Sequence, residues 1–490
     1  MGIRAGWIGM AAAGIALGLP LGVYLLTLAP TVTGHDAPDL TTAAYTLGIA
    51  HPPGYPLYTL LGWLFSHAFP VGDVAFRLNL LSALFGAATT ALAYLVARRL
   101  TGQTLPSLAA ALALAFSHWF WLNSLVAEVY TLDTLLLAGT LLFLLRWRQR
   151  QQPWALYAFA LLFGLSLAHR TTSLLFLPAL GLYLLLCPRP RRPMVWLVAP
   201  IFLVLGLLFY LYIPLNYLRE PDYISSTFLS RWPGNPADLA TPGGFWHLVS
   251  AAQFRSSVFG FGPAESLESL GRYVTWLAAS FMGVGLVLGL VGVWCQFQTH
   301  RLELLLLAGI FLPSVIFYTN YDVADRAFMV TPSYLVWALW IAVGWTNVSR
   351  ALHSVIQEPR LRAAAPVLIM VLPLAALLVN YPLVDLSGER EFRETNEELL
   401  AQAEPNPTIM SWWWDMAPLT YLQKVEGLRP DAQLLFSVRG DRKYVLAIVQ
   451  MTVGSNRPLY VHASRGLEFL QSDYALVPVG EGGWLRVVPK

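Results

Sequence analysis

Long apolar runs, separated by short basic or polar connections, dominate the first 386 residues of the chain. Runs of this kind predict membrane-spanning helices, because roughly 20 apolar residues in a helix cross the hydrocarbon core of a bilayer. The short pair at 154–168 and 172–187 also fits a re-entrant hairpin broken at His169 and Arg170. The pattern predicts a polytopic α-helical membrane protein with about 11 transmembrane helices. The runs lie near residues 7–29, 77–97, 105–122, 129–146, 154–168, 172–187, 194–214, 273–296, 302–319, 327–348 and 363–384.

Two long polar stretches, residues 30–76 and 215–272, interrupt the apolar pattern. Both are rich in proline, glycine and aromatic residues, and the segment Trp246 to Phe259 predicts a helix lying in the membrane interface. Long connections carry binding and catalytic residues more often than the elements that they connect. We therefore expect the functional site to be built largely from these two loops.

The composition becomes that of a soluble protein from about residue 387. Periodicity predicts helices at Glu389–Ala403 and Ala417–Val425. It predicts strands at Thr408–Trp414 and Gln433–Val438, and a hairpin within Tyr474–Val488 that turns at Gly482 and Gly483. The sequence is therefore divided into a transmembrane domain, residues 1–386, and a small α/β domain, residues 387–490.

The positions of the arginines predict the orientation in the membrane, because short basic loops stay in the cytoplasm. If the predicted spans alternate, the arginines of the short connections all fall on one side. The N-terminus is then cytoplasmic, and an odd number of crossings places the two long loops and residues 387–490 on the extracytoplasmic side. These arginines are Arg4, Arg98, Arg99, Arg146, Arg148, Arg150, Arg189, Arg191, Arg192, Arg301, Arg350, Arg360 and Arg362.

The composition strengthens the membrane assignment and excludes other classes of protein. The chain is 56% hydrophobic and 12% charged, with a mean hydropathy of +0.56, whereas about a quarter of the residues of soluble domains are charged. A net charge of +3 with scattered basic residues does not indicate a nucleic-acid surface. Cys187 and Cys295 have no CxxC partner, so neither a disulfide framework nor a structural metal site is expected.

Carboxylates are concentrated on the predicted outer side of the membrane. An ionised carboxylate near a membrane usually faces a cavity or takes part in chemistry. A helix predicted to begin at about Pro38 places Asp36 near its N-terminus, where capping is the alternative role. Asp39 could equally serve the helix dipole, His51 a turn, and Glu128 a solvated loop. The carboxylates concerned are Asp36, Asp39, Glu128, Asp322 and Asp325.

Cations also lie at the predicted outer boundary of the membrane. His169–Arg170 ends one apolar run, Arg326 follows Asp325, and Arg255 lies in the second long loop. Arginines at this depth extend to lipid phosphates in many membrane proteins. They also suit the grip of a phosphate on a bound lipid substrate.

Four blocks in the first third of the chain resemble the DUF2723 family of protein O-mannosyltransferase-like membrane proteins, within the GT-C superfamily. The His-Pro-Pro-Gly block is the most specific of the four. The resemblance is densest over about the first 180 residues, and Tyr421–Asp431 is also similar to the tail of the family. Where the family has a pattern like Asp-Ser-Gly-Glu, this chain has Asp36-Ala37-Pro38-Asp39. The other blocks are Ala43–Gly48, His51–Tyr58 and Ala127–Tyr130.

The resemblance implies a GT-C-like fold and the transfer of a sugar from a polyprenyl-phosphate carrier, with Asp36 as base. The sugar expected is mannose, the acceptor is an extracytoplasmic protein, lipid or glycan, and the configuration inverts. A leaving monophosphate can be handled by arginines, so neither a cofactor nor a metal is expected. The further catalytic candidates are Asp39 and Glu128, and the substrate-binding candidates are His51, Tyr55, His169, Arg170, Arg255, Asp325 and Arg326.

Two other functions remain open on the sequence. A transporter or lipid flippase also has many spans with acidic residues, but it is expected to show two related halves with interrupted helices at the bilayer midplane. We find no such halves in the sequence. A non-catalytic assembly protein would bind glycans or partners through its tail, where Trp412–Trp414 and Asp415 are the candidate residues. The three tryptophans also fit a strand with one buried face.

Overall fold

The structure is a computed structural model. It describes residues 2–187, 193–225, 238–358, 360, 367–436, 442–455, 457–463 and 467–490.

Most of the predicted membrane runs fold as helices. Within the residues that the structure describes, six helical segments are long and apolar enough to cross a membrane. Met194–Tyr217 joins α10 (Met194–Leu207) to α11 (Tyr212–Tyr217) through a 3-10 turn, and Phe328–Val355 consists of another such turn and α16 (Thr331–Val355). The other four are α1 (Gly2–Thr27), α4 (Val74–Thr101), α7 (Tyr130–Arg150) and α15 (Arg301–Thr319).

Four of the predicted runs form shorter apolar helices. They are α5 (Thr104–Ala115), α8 (Pro153–His169), the segment Thr171–Leu186 that contains α9 (Leu177–Leu186), and the segment Leu368–Val384 that contains α17 (Val371–Val384). A helix of 12 residues is about 18 Å long, so α5 is shorter than the hydrocarbon core. Whether Pro153–Leu186 forms two crossings or a hairpin stays a prediction.

The span predicted at 273–296 is sharply bent in the structure. Two helices, α13 (Pro263–Ser280) and α14 (Val284–Thr299), meet there at an angle of 103°. Met282 and Gly283 have φ values of 55° and 64° at the break, and consecutive left-handed residues end an α-helix. If this bent pair is counted as one span, the described part of the chain contains up to seven helices able to cross a membrane.

The arginines in the last turns of α4 and α7 lie at the end of the helix bundle opposite the two long loops: Arg98, Arg99, Arg148 and Arg150. Arg77, in the first turn of α4, instead donates to the carbonyls of Ser66 and Gly72 in the first long loop. Arg99 donates to Gln149 at 2.8 Å, and Arg148 forms an ion pair with Glu303 at the start of α15. Such clustering agrees with the predicted one-sided placement of arginines. The side that faces the cytoplasm stays a prediction, and Arg189, Arg191, Arg192 and Arg362 lie outside the described residues.

The first long loop contains α2 (Ala37–Thr46) and α3 (Pro56–Ala68). The helix predicted from about Pro38 is thus confirmed, with α2 beginning one residue earlier. In the second loop, the single interfacial helix predicted at 246–259 is wrong. The chain forms α12 (Pro242–Val249) and a 3-10 helix (Ala252–Ser257) instead, because Ala251 has a φ of 48°.

The two long loops are joined by backbone hydrogen bonds. Ile49 N donates to the carbonyl of Tyr223 at 2.9 Å, and Ser225 N donates to the carbonyl of Ile49 at 2.8 Å. Backbone pairing fixes the position of one chain segment against another more firmly than side-chain packing alone. The segment that follows α2 is therefore held against the second loop.

The C-terminal residues form the α/β unit that the sequence predicts. Its helices are α18 (Glu391–Gln402), α19 (Trp413–Lys424) and α20 (Arg442–Gly454). The five-stranded sheet has the order β2-β1-β3-β5-β4, in which β1 pairs in parallel with β2 and β3, and β5 pairs antiparallel with β3 and β4. The strands are β1 (Thr408–Ser411), β2 (Gln433–Phe436), β3 (Leu459–His462), β4 (Tyr474–Val479) and β5 (Trp484–Pro489).

The prediction that Trp412–Trp414 belong to a strand is wrong. Strand β1 ends at Ser411, and Trp412 is the residue before the first turn of α19. Ser411 Oγ donates to Asp415 at 2.6 Å in that first turn, which favours the start of a helix. The sequence prediction also missed β3 and α20.

The C-terminal unit packs directly on the membrane helices. Leu399, Ile409 and Leu419 belong to the same buried apolar cluster as the spans. Arg393 of α18 reaches Asp73, which precedes α4, at 3.1 Å, and it also binds Glu426 at 2.6 Å and Glu397 at 2.8 Å. These contacts fix the C-terminal unit over the first long loop.

Candidate functional site

A cavity of about 990 Å³ lies between the two long loops, the ends of several membrane helices and the C-terminal unit. Its walls carry the acidic residues Asp36, Glu128, Asp322 and Asp325 and the basic residues Arg170 and Arg255. Three tryptophans and Phe436 of the C-terminal unit close one side. Other lining residues include His35, His51, Pro52, Pro53, Tyr55, Tyr130, Thr171, Thr172, Leu174, Leu175, Ser250, Gln253, Phe254, Phe317, Tyr318, Tyr321, Phe328, Trp412, Trp413 and Trp414.

Asp36 occupies the N-cap position of α2, but its side chain makes no capping hydrogen bond. Oδ1 instead accepts a hydrogen bond of 2.7 Å from Nε1 of Trp413, and Oδ2 lies 3.4 Å from Nε2 of His51. The side chain is 23% exposed and lines the cavity. The alternative that Asp36 only caps a helix is thereby removed.

Asp39 is buried behind His51 and does not line the cavity. Its Oδ2 accepts hydrogen bonds from Nδ1 of His51 at 2.7 Å and from the His51 backbone N–H at 3.0 Å, and its Oδ1 accepts from the hydroxyl of Tyr223. A catalytic contact with substrate does not fit this placement. The geometry fits a residue that orients His51.

The His-Pro-Pro-Gly-Tyr block is a tight turn between α2 and α3. The Gly54 N–H donates to the carbonyl of His51 at 2.8 Å, and Gly54 has a φ of 92°, a conformation that L side chains rarely adopt. This turn aims His51 and Tyr55 into the cavity, with their rings 5.2 Å apart. The block therefore holds His51 and Tyr55 in place at the cavity.

His51 is positively charged over the physiological pH range. Burial by itself would lower the pKa of His51, but the carboxylates of Asp36 and Asp39 outweigh this effect and raise it to about 9. An imidazolium donates from both ring nitrogens, which suits its position between two carboxylates. The charged ring thus holds Asp36 and Asp39 in fixed orientations.

Glu128 and Asp325 favour their neutral forms more than ordinary carboxyl groups do. Burial, with a further contribution from the negative charge of Asp36, raises the pKa of Glu128 well above 4.5 and that of Asp325 to about 6. Tyr130 donates to Asp325 at 3.3 Å. This direction favours the neutral form of Glu128, which can donate a hydrogen bond to a ligand in the cavity.

Arg170 also lines the cavity and is only 5% exposed. Its guanidinium lies 3.1 Å from Asp133 Oδ2, 4.8 Å from the ring centroid of Tyr130 and 5.8 Å from that of Tyr318. The carboxylate and the two rings hold the guanidinium in place. Because Asp133 uses one of five N–H donors, others remain for a ligand.

A second polar group on this side lies in the loop around the 3-10 helix. Arg255 is exposed and lines the cavity together with Ser250 and Gln253. The hydroxyl of Ser250 and both amide atoms of Gln253 are buried without a hydrogen-bond partner in the part of the chain that the structure describes. Buried polar atoms without partners are costly in a folded protein, so they indicate a ligand with several hydrogen-bonding atoms.

Two predicted substrate-binding residues are not brought to the cavity. Nε2 of His169 lies 2.9 Å from the carbonyl of Val129 beneath the cavity floor, and the guanidinium of Arg326 lies 4.8 Å from the ring centroid of Phe261, outside the lining. Each is adjacent in sequence to a residue that does line it, and side chains of neighbouring residues point in different directions. Their predicted contact with substrate is corrected accordingly.

Sequence reasoning missed several residues that shape the site. Trp413 and Tyr223 bind the two aspartates of the first loop, and Ser250 and Gln253 line the cavity. A run of three tryptophans in a soluble segment was the one sequence signal that pointed to the first of them. Among the residues that the structure describes, no three His, Cys, Asp or Glu side chains converge to hold a metal, and metal independence stays a prediction.

The charged state of His51 predicts a pH-dependent stability. Its pKa is raised from 6.5 to about 9, so its contribution is fully present below pH 6.5 and is lost as the pH rises through 9. The shift corresponds to roughly 3 kcal/mol. We expect the melting temperature of the purified protein to fall between pH 7 and 10, and His51→Gln to reduce this slope.

The matched control is His67→Gln, which changes a histidine outside the cavity and leaves the slope as in the unchanged protein. Equal slopes in the His51 variant and the unchanged protein would contradict the charge assigned to His51.

Comparison with known proteins gives matches in sequence and in structure. Residues 36–192 match the family model of the N-terminal domain of protein O-mannosyl-transferase TMEM260. The mouse protein of that name (Mus musculus) is 35% identical over 232 residues, which cover 46% of this chain and 31% of the relative. The Dictyostelium discoideum protein is 34% identical over 130 residues, which cover 26% of this chain and 16% of the relative. This chain thus covers less than a third of either curated relative.

The solved structures of ArnT from Cupriavidus metallidurans match over nearly the whole chain. The form bound to undecaprenyl phosphate has a TM-score of 0.63 at 12% identity and covers 98% of both chains. The apo form has a TM-score of 0.59 at 12% identity, covering 99% of this chain and 98% of the other. The chain therefore shares the fold of these ArnT structures, and its residues 36–192 are similar to the N-terminal domain of protein O-mannosyl-transferase TMEM260.

Proposed function

We propose that the protein transfers a sugar from a polyprenyl-phosphate carrier to a hydroxyl of an extracytoplasmic acceptor. The observation that carries this proposal is a single cavity lined by the carboxylate of Asp36 and by the guanidinium groups of Arg170 and Arg255. The names of the matched relatives support mannose as the sugar and a protein as the acceptor. The fold is shared with a protein solved with undecaprenyl phosphate bound, which supports a polyprenyl-phosphate donor.

The carboxylate of Asp36 acts as the general base. Oδ1 accepts the N–H of Trp413 at 2.7 Å, whereas Oδ2 has only the longer contact of 3.4 Å with Nε2 of His51, so Oδ2 takes the proton of the acceptor hydroxyl. As that proton leaves, the acceptor oxygen bonds to the anomeric carbon, and the bond from this carbon to the phosphate oxygen breaks. Attack from the face opposite the phosphate inverts the configuration. General-base assistance of this kind contributes about 10²–10⁴-fold.

The arginines stabilise the leaving phosphate. The phosphate departs with the electron pair of the broken bond, and its growing charge is stabilised best by donors that are already in place in a water-poor site. Arg170 is such a donor, because Asp133 and two rings hold it. Leu174, Leu175 and Phe317 line the same wall and suit the first isoprene units of the carrier.

Glu128 and Asp325 bind the sugar of the donor. Both line the cavity near Asp36. The raised pKa of Glu128 favours a neutral carboxyl group that can donate to a sugar hydroxyl, whereas Asp325, with a pKa of about 6, is mainly ionised at neutral pH and can accept from one.

The proposal is tested with the purified full-length protein and a polyprenyl-phosphate-linked mannose. We expect release of free polyprenyl phosphate, with transfer of the sugar to a serine- and threonine-containing peptide. Because no metal is expected to take part, a chelator should leave the rate unchanged. Absence of both release and transfer with mannose and with other hexoses on the same carrier would sink the proposal.

Arg255→Gln is expected to raise the KM for the donor about tenfold with little change in kcat. The side chain lies at the rim of the cavity, and a charge-assisted hydrogen bond contributes roughly 1.5–3 kcal/mol. The measurement is a donor titration at saturating acceptor.

Arg326→Gln is the matched control for Arg255→Gln, because it removes a neighbouring guanidinium that lies on Phe261 outside the cavity. Its donor KM should stay within about twofold, well under the 1.4 kcal/mol of a tenfold change. The reverse ranking of the two variants would return the phosphate contact to Arg326.

A further inference from the structure

A hydrogen bond joins two elements that are far apart in the chain. Nε1 of Trp413, in the first turn of α19, donates to Oδ1 of Asp36 at 2.7 Å across 377 residues. The contact between Asp36 and Nε2 of His51, at 3.4 Å, is longer. Trp413 is therefore the closest hydrogen-bond donor to Asp36 among the side chains that the structure describes.

The tryptophan ring is held on several sides. It is 7% exposed, and its ring centroid lies 5.8 Å from that of His51 and 6.1 Å from that of Phe436, both in edge-on geometry. The unit that carries it is fixed to the first loop by the ion pair between Arg393 and Asp73. A ring packed in this way restricts the direction of its N–H bond.

We propose that Trp413 is a positioning residue for Asp36, so that the C-terminal unit completes the catalytic centre. This inference rests on the proposed transferase function, in which Asp36 is the base. An indole N–H can only donate, so Trp413 fixes Oδ1, and Oδ2, which has only the longer contact of 3.4 Å with Nε2 of His51, remains to take the proton. A base held in one orientation by surrounding groups reacts faster than one that must be oriented in each turnover.

The test compares Trp413→Phe with the unchanged full-length protein. Phenylalanine keeps an aromatic ring and removes the N–H. We expect kcat to fall about ten- to hundredfold, in the range for loss of one preorganised donor, with the donor KM within twofold. The acid limb of the pH–rate profile should move to higher pH, because a carboxylate that has lost a donor is protonated more readily.

Other titratable groups also face Asp36 and enter the same profile. They are His51, Glu128, Asp325, His35, Tyr55 and Tyr321. None of them is altered in the variant, so a shift of the acid limb is attributed to loss of the Trp413 N–H. A variant that is merely less stable would lower the plateau without moving the limb.

Trp340→Phe is the matched control. Its Nε1 donates to Gln296 at 3.0 Å between membrane helices and far from the cavity lining. This variant removes a comparable buried hydrogen bond, so it should retain kcat and the position of the acid limb. Unchanged kcat and an unmoved limb in Trp413→Phe, or the same changes in both variants, would overturn the inference.

A second measurement separates this inference from the proposed function. Melting temperatures of Asp36→Ala, Trp413→Phe and the double variant form a thermodynamic cycle that needs no turnover. Losses that fall short of additivity by about 2 °C or more support the contact, and additive losses overturn it. If the coupling is found but the unchanged protein transfers no sugar, the proposed function fails while the contact stands.

Discussion

Asp36→Asn is expected to lower kcat for sugar transfer by about two to four orders of magnitude while the protein remains folded and inserted. An amide nitrogen or oxygen in place of Oδ2 cannot take the proton of the acceptor hydroxyl. The amide oxygen can still accept the hydrogen bond from Trp413, so the position of the side chain is preserved. The measurement is the rate of polyprenyl phosphate release at saturating donor and acceptor.

Azide provides a chemical test of the same role. It carries no proton, so it can attack the anomeric carbon without a base. Azide should therefore restore release of polyprenyl phosphate by Asp36→Asn, with formation of a glycosyl azide of inverted configuration. If azide rescues nothing and the variant still turns over at the normal rate, Asp36 is not the base.

Asp322→Asn is the matched control for Asp36→Asn. Asp322 also lines the cavity, and its backbone N–H donates to the carbonyl of Ser257 at 2.9 Å. Its substitution removes a negative charge but no proton acceptor near His51. A change of under about threefold, less than 1 kcal/mol, would separate the loss of a base from the loss of charge.

The sequence predicts the first loop well because its signals are local. A proline after Asp36 and an apolar run at helical spacing indicate the start of α2, and a glycine after two prolines indicates the turn that carries His51. Structure confirms both elements. Nothing local indicates that His51 lies between Asp36 and Asp39, because that arrangement depends on how the turn folds back on α2.

The rest of the site depends on contacts between distant segments. Trp413 reaches Asp36 only because the C-terminal unit packs on the first loop. The local sequence of the three tryptophans is equally compatible with a strand. The sequence does not show whether His169 or Arg170 lines the cavity, because this depends on the direction of the chain at the end of α8. An extended backbone at Arg170, with a φ of −141°, turns it inward.

The break at Met282 and Gly283 shows the same limit for the membrane helices. Apolar composition across 273–296 is continuous, and hydropathy measures composition rather than backbone geometry. The left-handed residues that separate α13 from α14 carry no strong signal, since glycine is common in membrane helices. Predicted spans therefore matched helices in place but not always in direction.

The second large effect that we expect follows from removal of the ion pair between Arg170 and Asp133. Arg170→Gln alone should destabilise the protein by roughly 3–5 kcal/mol, because it leaves Asp133 buried without its partner. The double variant Arg170→Gln, Asp133→Asn replaces both charges with neutral groups of similar size. Such replacements are often close to neutral for stability, so this variant is suited to a test of catalysis.

In the double variant we expect kcat to fall about 10²–10³-fold, because the leaving phosphate loses a donor that was fixed before the reaction. Arg148→Gln, Glu303→Gln is the matched control: it removes an ion pair of the same kind at the opposite end of the bundle. That control should change kcat by less than about threefold, or under 1 kcal/mol. Equal losses in the two double variants would mean that the effect is structural, and a folded Arg170 double variant with normal kcat would take Arg170 out of the mechanism.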